Sequence, residues 1–176
     1  MTQEIPQQAK SIQLVVFDVD GVLTDGSLIL GENGEEYKVF NAHDGLGLVM
    51  LREAGLDVAV ISARSTPIVE KRMAALGIEY VYQGQSNKFD VLKTLMNKLG
   101  VSEKETAFVG DDLIDIRAMK LAGLAVAVAN ARPQVRQTAH WISESRGGRG
   151  AVREVCEMIL EARGKLKQAL EKYGAA

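Results

Sequence analysis

Four short segments of this 176-residue chain carry side chains suited to chemistry. Asp18 and Asp20 are separated by one residue and followed by Gly21. Gly110 is followed by Asp111, Asp112 and, a few positions on, Asp115. Ser62 closes an apolar run, and Lys88 opens a helical pattern. Two carboxylates within a few ångströms do not both ionise comfortably unless a cation neutralises them. If the two acidic segments converge, Asp18, Asp20, Asp111, Asp112 and Asp115 surround one crevice, a hard oxygen-rich site suited to Mg²⁺. Ser62 offers a hydroxyl to an anion. A lysine at a helix N-terminus opposes the helix dipole, so helix stability does not account for Lys88, whereas an anion site does. Carboxylates, a divalent cation, a hydroxyl and an ammonium together suit phosphoryl transfer. The cation and ammonium hold the phosphate oxygens while one carboxylate attacks phosphorus.

These residues follow apolar runs that read as strands. Residues 12–17, 58–61, 106–109 and 124–129 are continuous and largely β-branched or small, the pattern of strands buried on both faces, and 80–82 is a shorter run. Helical patterns alternate with them: one capped by Asp44 and ending at Gly55, one opened by Ser65 and Pro67 and closed by Gly77, one from Asn87 to Gly100, and one over 113–122. The tail, residues 151–173, reads as one long helix with Val152, Val155, Cys156, Ile159 and Leu160 as its apolar stripe. The alternation predicts an α/β fold built on a doubly wound parallel sheet, which binds ligands outside the carboxyl ends of its strands. Asp18, Ser62 and Asp111 fall at such ends.

One segment departs from the alternation. The 22 residues between Gly21 and Asp44 exceed an ordinary strand-to-helix loop. Leu28-Ile29-Leu30, the turn-like Gly31-Glu32-Asn33-Gly34, and Tyr37, Val39 and Phe40 read as a projecting β-hairpin over about 24–42. An isolated hairpin with this many large apolar side chains needs cover. Packing onto the parent domain would supply it, but contact with other copies of the chain is the favoured expectation.

Composition bounds the rest. The length fits one domain over 1–176. The 21 basic against 23 acidic residues, net −2, give no basic stripe for nucleic acid. The single cysteine excludes an internal disulfide framework and multi-cysteine metal sites. No apolar run is long enough to span a membrane, and the polar start, MTQEIPQQAK, is unlike a secretory signal, so a cytoplasmic location is expected. Cys156, Met119 and Trp141 are expected in the core, and His43 at the surface.

As a set, Asp18-x-Asp20-Gly21, Ser62, Lys88 and Gly110-Asp111-Asp112-x-x-Asp115 resemble the haloacid dehalogenase superfamily of aspartyl-phosphate phosphatases. The resemblance implies Asp18 as nucleophile and Asp20 as general acid, then base. Asp18, the Asp20 carbonyl and Asp111 would hold Mg²⁺. Ser62 and Lys88 would bind the phosphoryl group, with Asp112 and Asp115 in support. The run from Phe17 to Gly26, Asn41-x-x-Asp44-Gly45, Ile61-Ser62-Ala63-Arg64 and Gly147-Gly148-Arg149-Gly150 are similar to the 3-deoxy-D-manno-octulosonate 8-phosphate phosphatases of lipopolysaccharide synthesis. That family implies a core with no cap domain, a homotetramer joined through the hairpins and a sugar-acid phosphate as substrate.

For such a substrate, Arg64 and Arg72, on the helix after Ser62, suit a carboxylate or hydroxyls. Asn41, Ala42, His43, Asp44 and Gly45 offer polar and backbone groups at the hairpin base. Arg149, flanked by glycines, suits a covering role from its own or a neighbouring subunit. Relatives acting on nine-carbon sialic-type 9-phosphates tend to carry an acid at the position of Arg64, which favours the eight-carbon acid. The alternatives are that nine-carbon substrate, a receiver-type signalling domain and a non-catalytic scaffold.

Overall fold

The computed structural model describes residues 6–175. Residues 1–5 of the polar start, read above as no secretory signal, and Ala176 lie outside them. Six strands form the parallel sheet that the apolar runs predict: β1 (Leu14–Phe17), β4 (Asp57–Ile61), β5 (Tyr80–Tyr82), β6 (Thr106–Gly110), β7 (Leu124–Ala127) and β8 (Trp141–Ile142), in the order β5-β4-β1-β6-β7-β8. Every residue of β1, β6 and β7 is buried, as strands covered on both faces require. The order reverses beside β1, so a crevice opens between the carboxyl ends of β1 and β6.

The helices are α1 (Ala42–Glu53), α2 (Pro67–Ala75), α3 (Lys88–Leu99), α4 (Ile116–Leu121), α5 (Pro133–Thr138), α6 (Ala151–Ala162) and α7 (Leu166–Glu171). α1 packs on α6, while α3, α4 and α5 form a second contiguous layer. Right-handed crossovers put these two layers on opposite faces of the sheet.

Several boundaries differ from expectation. Asn41, not Asp44, caps α1, and Thr66, not Ser65, caps α2. The tail is two helices, because Gly164 takes φ 67° and ends the first of them. Helix α5 and strand β8 were not anticipated; at six and two residues they are too short to show a period. Cys156, Met119 and Trp141 are buried as expected. Among the described residues, no helix is long and apolar enough to cross a membrane.

The hairpin is present: β2 (Ile29–Leu30) pairs antiparallel with β3 (Glu36–Tyr37). Leu28, Ile29, Leu30, Tyr37 and Val39 are each 45–67% exposed, while Phe40 packs against the core. Packing onto the parent domain therefore does not cover these side chains. Alternation along the second strand sends Tyr37 and Val39 outward, and Glu36 and Lys38 inward toward the crevice.

Candidate active site

β1 delivers Asp18 to the crevice, where its N–H donates to the Val109 carbonyl at 3.0 Å and so continues the strand pairing by one residue. The chain then leaves extended geometry in a wide turn, Val19–Leu23, with Gly21 at φ 102°. Gly21 is required twice over. The positive φ disfavours a side chain, and a Cβ there would run into the Asp111 carboxylate. The buried Thr24 hydroxyl ties the turn together, accepting from Gly26 N–H at 3.2 Å.

β6 delivers Asp111. After it the chain folds so that Asp115 accepts from the N–H groups of Asp111 and Asp112 at 3.0 and 3.2 Å. A Cβ at Gly110 would lie 2.6 Å from that of Asp115, so only glycine permits the fold-back. Lys88, the first residue of α3, enters from the side. Its ammonium lies 2.6 Å from Asp18 Oδ1 and 2.6 Å from Asp115 Oδ1, and its side chain is fully buried. Burial opposes the charge on Lys88, but Asp18 and Asp115 more than offset it and hold its pKa above the ordinary value.

Carboxylate oxygens of Asp18, Asp111 and Asp115 lie within 4.8 Å of one another. Burial, reinforced by the neighbouring Asp115 charge, pushes Asp18 up to about 7, although Lys88 opposes the shift. Burial and the charges of Asp18, Asp115 and Asp112 push Asp111 up to about 8. One Asp111 oxygen, Oδ1, is buried with no hydrogen-bond partner. Three close carboxylates, one with an orphaned oxygen, are a donor set that a hard divalent cation satisfies.

The expected cluster of five carboxylates is therefore a cluster of three. Asp20 was expected beside Asp18, but the turn ends the strand alternation, and its side chain pairs instead with Lys38 of the hairpin. Asp112 is exposed and spends its side chain accepting from Leu113 N–H at 2.8 Å. Ser62 sits buried at the end of β4, its Oγ accepting from Arg64 N–H at 3.1 Å.

The residues expected to contact the sugar have different partners within the chain. Arg64 precedes α2 rather than lying on it, and pairs with Glu36 at 2.8 Å. Arg72 does lie on α2, close to Gly45, where a Cβ would meet its guanidinium. Asn41 is committed to capping α1, accepting from His43 N–H at 2.8 Å, and Ala42 and His43 are exposed. Asp44 does not cap its own helix as expected. Its buried carboxylate accepts from Gly150 and Arg153 N–H at 3.3 and 2.9 Å, capping α6 from a distance. Arg149 pairs in its own chain with Asp25 at 3.3 Å.

The glycine loop that carries Arg149 packs backbone to backbone on the turn after β1, with Gly148 N–H donating to the Val22 carbonyl at 2.8 Å. A cleft of about 280 Å³ opens there, lined by Asp25, Ser27, Asn130, Arg146, Gly147 and Arg149. A larger cavity of about 430 Å³ beside α6 and α7 touches none of the clustered acids.

Lys38 was not anticipated. Its signal lay in the sequence, where the charged Glu36 and Lys38 alternate with the apolar Tyr37 and Val39.

A family model described as haloacid dehalogenase-like hydrolase matches residues 76–155. The 3-deoxy-D-manno-octulosonate 8-phosphate phosphatase KdsC of Escherichia coli strain K12 is 46% identical over 96% of this chain and 90% of its own length. The crystal structure of the Moraxella catarrhalis 3-deoxy-D-manno-octulosonate 8-phosphate phosphatase, in complex with magnesium ion, phosphate ion and KDO, is 41% identical. It superposes with a TM-score of 0.93 and covers 95% of this chain and 96% of that one. The cobalt-bound Haemophilus influenzae phosphatase is 40% identical at a TM-score of 0.89, covering 93% and 99%. Membership of a phosphatase family sets aside the receiver-type alternative. By sequence over nearly its whole length and by fold, the chain belongs to the 3-deoxy-D-manno-octulosonate 8-phosphate phosphatase family of haloacid dehalogenase-like hydrolases.

Proposed function

We propose that this chain is a Mg²⁺-dependent phosphatase that hydrolyses 3-deoxy-D-manno-octulosonate 8-phosphate through a phosphorylated Asp18, and so acts in lipopolysaccharide synthesis. The observation that carries the chemistry is the buried Lys88 bridge between Asp18 and Asp115 beside the orphaned Asp111 oxygen. The names of relatives sharing 40–46% identity support the substrate.

Asp18 and Asp111 carboxylates, with the Asp20 carbonyl, would hold Mg²⁺, which supplies charge neutralisation at the phosphate oxygens. Lys88 and Ser62 hold the phosphoryl group. An Asp18 oxygen attacks phosphorus, and the bond from phosphorus to the sugar oxygen breaks with its electron pair staying on that oxygen. Asp20 delivers the proton it needs. A water then attacks phosphorus, the bond to Asp18 breaks to regenerate the carboxylate, and Asp20 takes the water's proton. Arg64 faces the far end of the substrate, and Arg149 covers the crevice from its own chain. Acid quench during turnover followed by borohydride reduction is expected to convert Asp18 to homoserine. Its absence from quenched samples would contradict the covalent route.

The raised Asp18 and Asp111 pKa values set a pH dependence for the metal. At pH 6 both carboxyls largely keep their protons without a cation, so Mg²⁺ must displace them. Apparent Mg²⁺ affinity is expected to rise between pH 6 and 8, by up to about tenfold per pH unit for each proton released. Calorimetric titration in buffers of different ionisation enthalpy reads that release, and an affinity flat across this range would contradict it.

The uncovered outer face of the hairpin supports assembly with further copies, and a homotetramer is the proposed form. Leu30→Glu, at the most exposed of these side chains, is expected to shift the mass measured by light scattering toward the monomer. An unchanged mass would remove the hairpin from the interface.

A further inference from the structure

The inner face of the hairpin carries a row of alternating charges into the crevice. The Lys38 ammonium pairs with Asp20 and lies 3.0 Å from Glu36 Oε1, and the other Glu36 oxygen lies 2.8 Å from Arg64. The Lys38 side chain is only 2% exposed. The four charges sum to zero, which lets the row sit partly buried. A lysine withdrawn this far from water needs a reason, and packing alone is served at lower cost by an apolar residue. Asp20 stands one residue beyond Val19, which follows Asp18, on a turn that also borders Asp111 through Gly21. Left free, its carboxylate has the buried acid cluster and its cation as a competing destination. Lys38 holds it on the opposite, hairpin side.

We propose that Lys38 is a positioning residue for the reaction. It fixes the Asp20 carboxyl off the metal-binding cluster and toward the departing sugar oxygen, and through Glu36 it ties that placement to Arg64, which faces the substrate's far end. This rests on the roles given above to Asp18 and Asp20.

Leaving-group dependence separates positioning from mere support of the fold. 4-Nitrophenolate departs without a proton, whereas a sugar alkoxide needs one. In Lys38→Met, phosphorylation of Asp18 by 4-nitrophenyl phosphate is expected to stay within about threefold of wild type. Its release by water, which needs Asp20 as base, is expected to slow about 10²–10³-fold. The result is a burst of one equivalent of nitrophenolate and accumulation of enzyme that borohydride reduces to homoserine at position 18. With the sugar-acid phosphate the first step slows as well, so phosphoenzyme does not build up beyond its wild-type level. Lys38→Arg keeps a cation on the hairpin and is expected to fold even where Lys38→Met does not, with the same selective pattern at about tenfold. Equal slowing of both phosphorylation steps in the folded variants would overturn the role of Lys38 alone. Absence of homoserine at position 18 from wild type and variants alike would overturn the Asp18 reading, and this proposal with it.

Discussion

Asp18→Asn is expected to lower kcat by about 10⁴-fold or more while the fold persists. The amide cannot attack phosphorus, and nothing beside it can substitute. Among the described residues, the carboxylates clustered with Asp18 are Asp111, one of whose oxygens is left without a partner for a cation, and Asp115, which is spent on Lys88 and on two backbone N–H groups. The fold tolerates the change because Lys88 keeps Asp115 and the like-charge crowding around Asp111 falls. Phosphate release, together with thermal unfolding in metal-free buffer, checks both halves. Turnover within tenfold of wild type would show that another group is the nucleophile.

Lys88→Met is expected to cost both activity and stability. The ammonium compensates two buried carboxylates at 2.6 Å each. Removing one partner of a buried ion pair costs about 3–5 kcal/mol. Loss of the cation at the phosphoryl oxygens is expected to lower kcat/KM by about 10³-fold. The stability cost depends on pH, with a definite sign. Without the ammonium, the Asp18 carboxyl, already raised by burial, moves further above its unfolded value. The folded state then binds more protons than the unfolded one, so stability falls as pH rises. The gap in Tm between wild type and variant should be wider at pH 8 than at pH 6. An equal gap at both would mean that the carboxylates are compensated by something other than Lys88.

The sheet and its chemistry were legible because the signals are local. Unbroken apolar runs ending in Asp18, Ser62 and Gly110 are the direct imprint of strands buried on both faces, and in a doubly wound sheet their carboxyl ends meet. Three kinds of detail were not legible. The orientation of Asp20 depends on the backbone turn at Gly21, which takes the residue out of strand alternation. The capping contact of Asp44 depends on α6, more than a hundred residues away in sequence. The alternation that turns Lys38 inward is written in the sequence, but its pairing with Asp20 depends on the hairpin folding back over the crevice, a tertiary fact. The uncovered apolar face of that hairpin was anticipated, since no other part of the chain was free to cover it.

The central claim is the substrate, and the most direct test is phosphate release with Mg²⁺ from 3-deoxy-D-manno-octulosonate 8-phosphate beside a nine-carbon sialic acid 9-phosphate. The account predicts a preference of about a hundredfold in kcat/KM for the eight-carbon acid, since a carboxylate set one carbon farther from the phosphate loses its pairing with Arg64, and a hydrogen bond between charged groups contributes about 1.5–3 kcal/mol. Equal turnover of the two, or preference for the nine-carbon acid, would contradict it while leaving the chemistry at Asp18 intact.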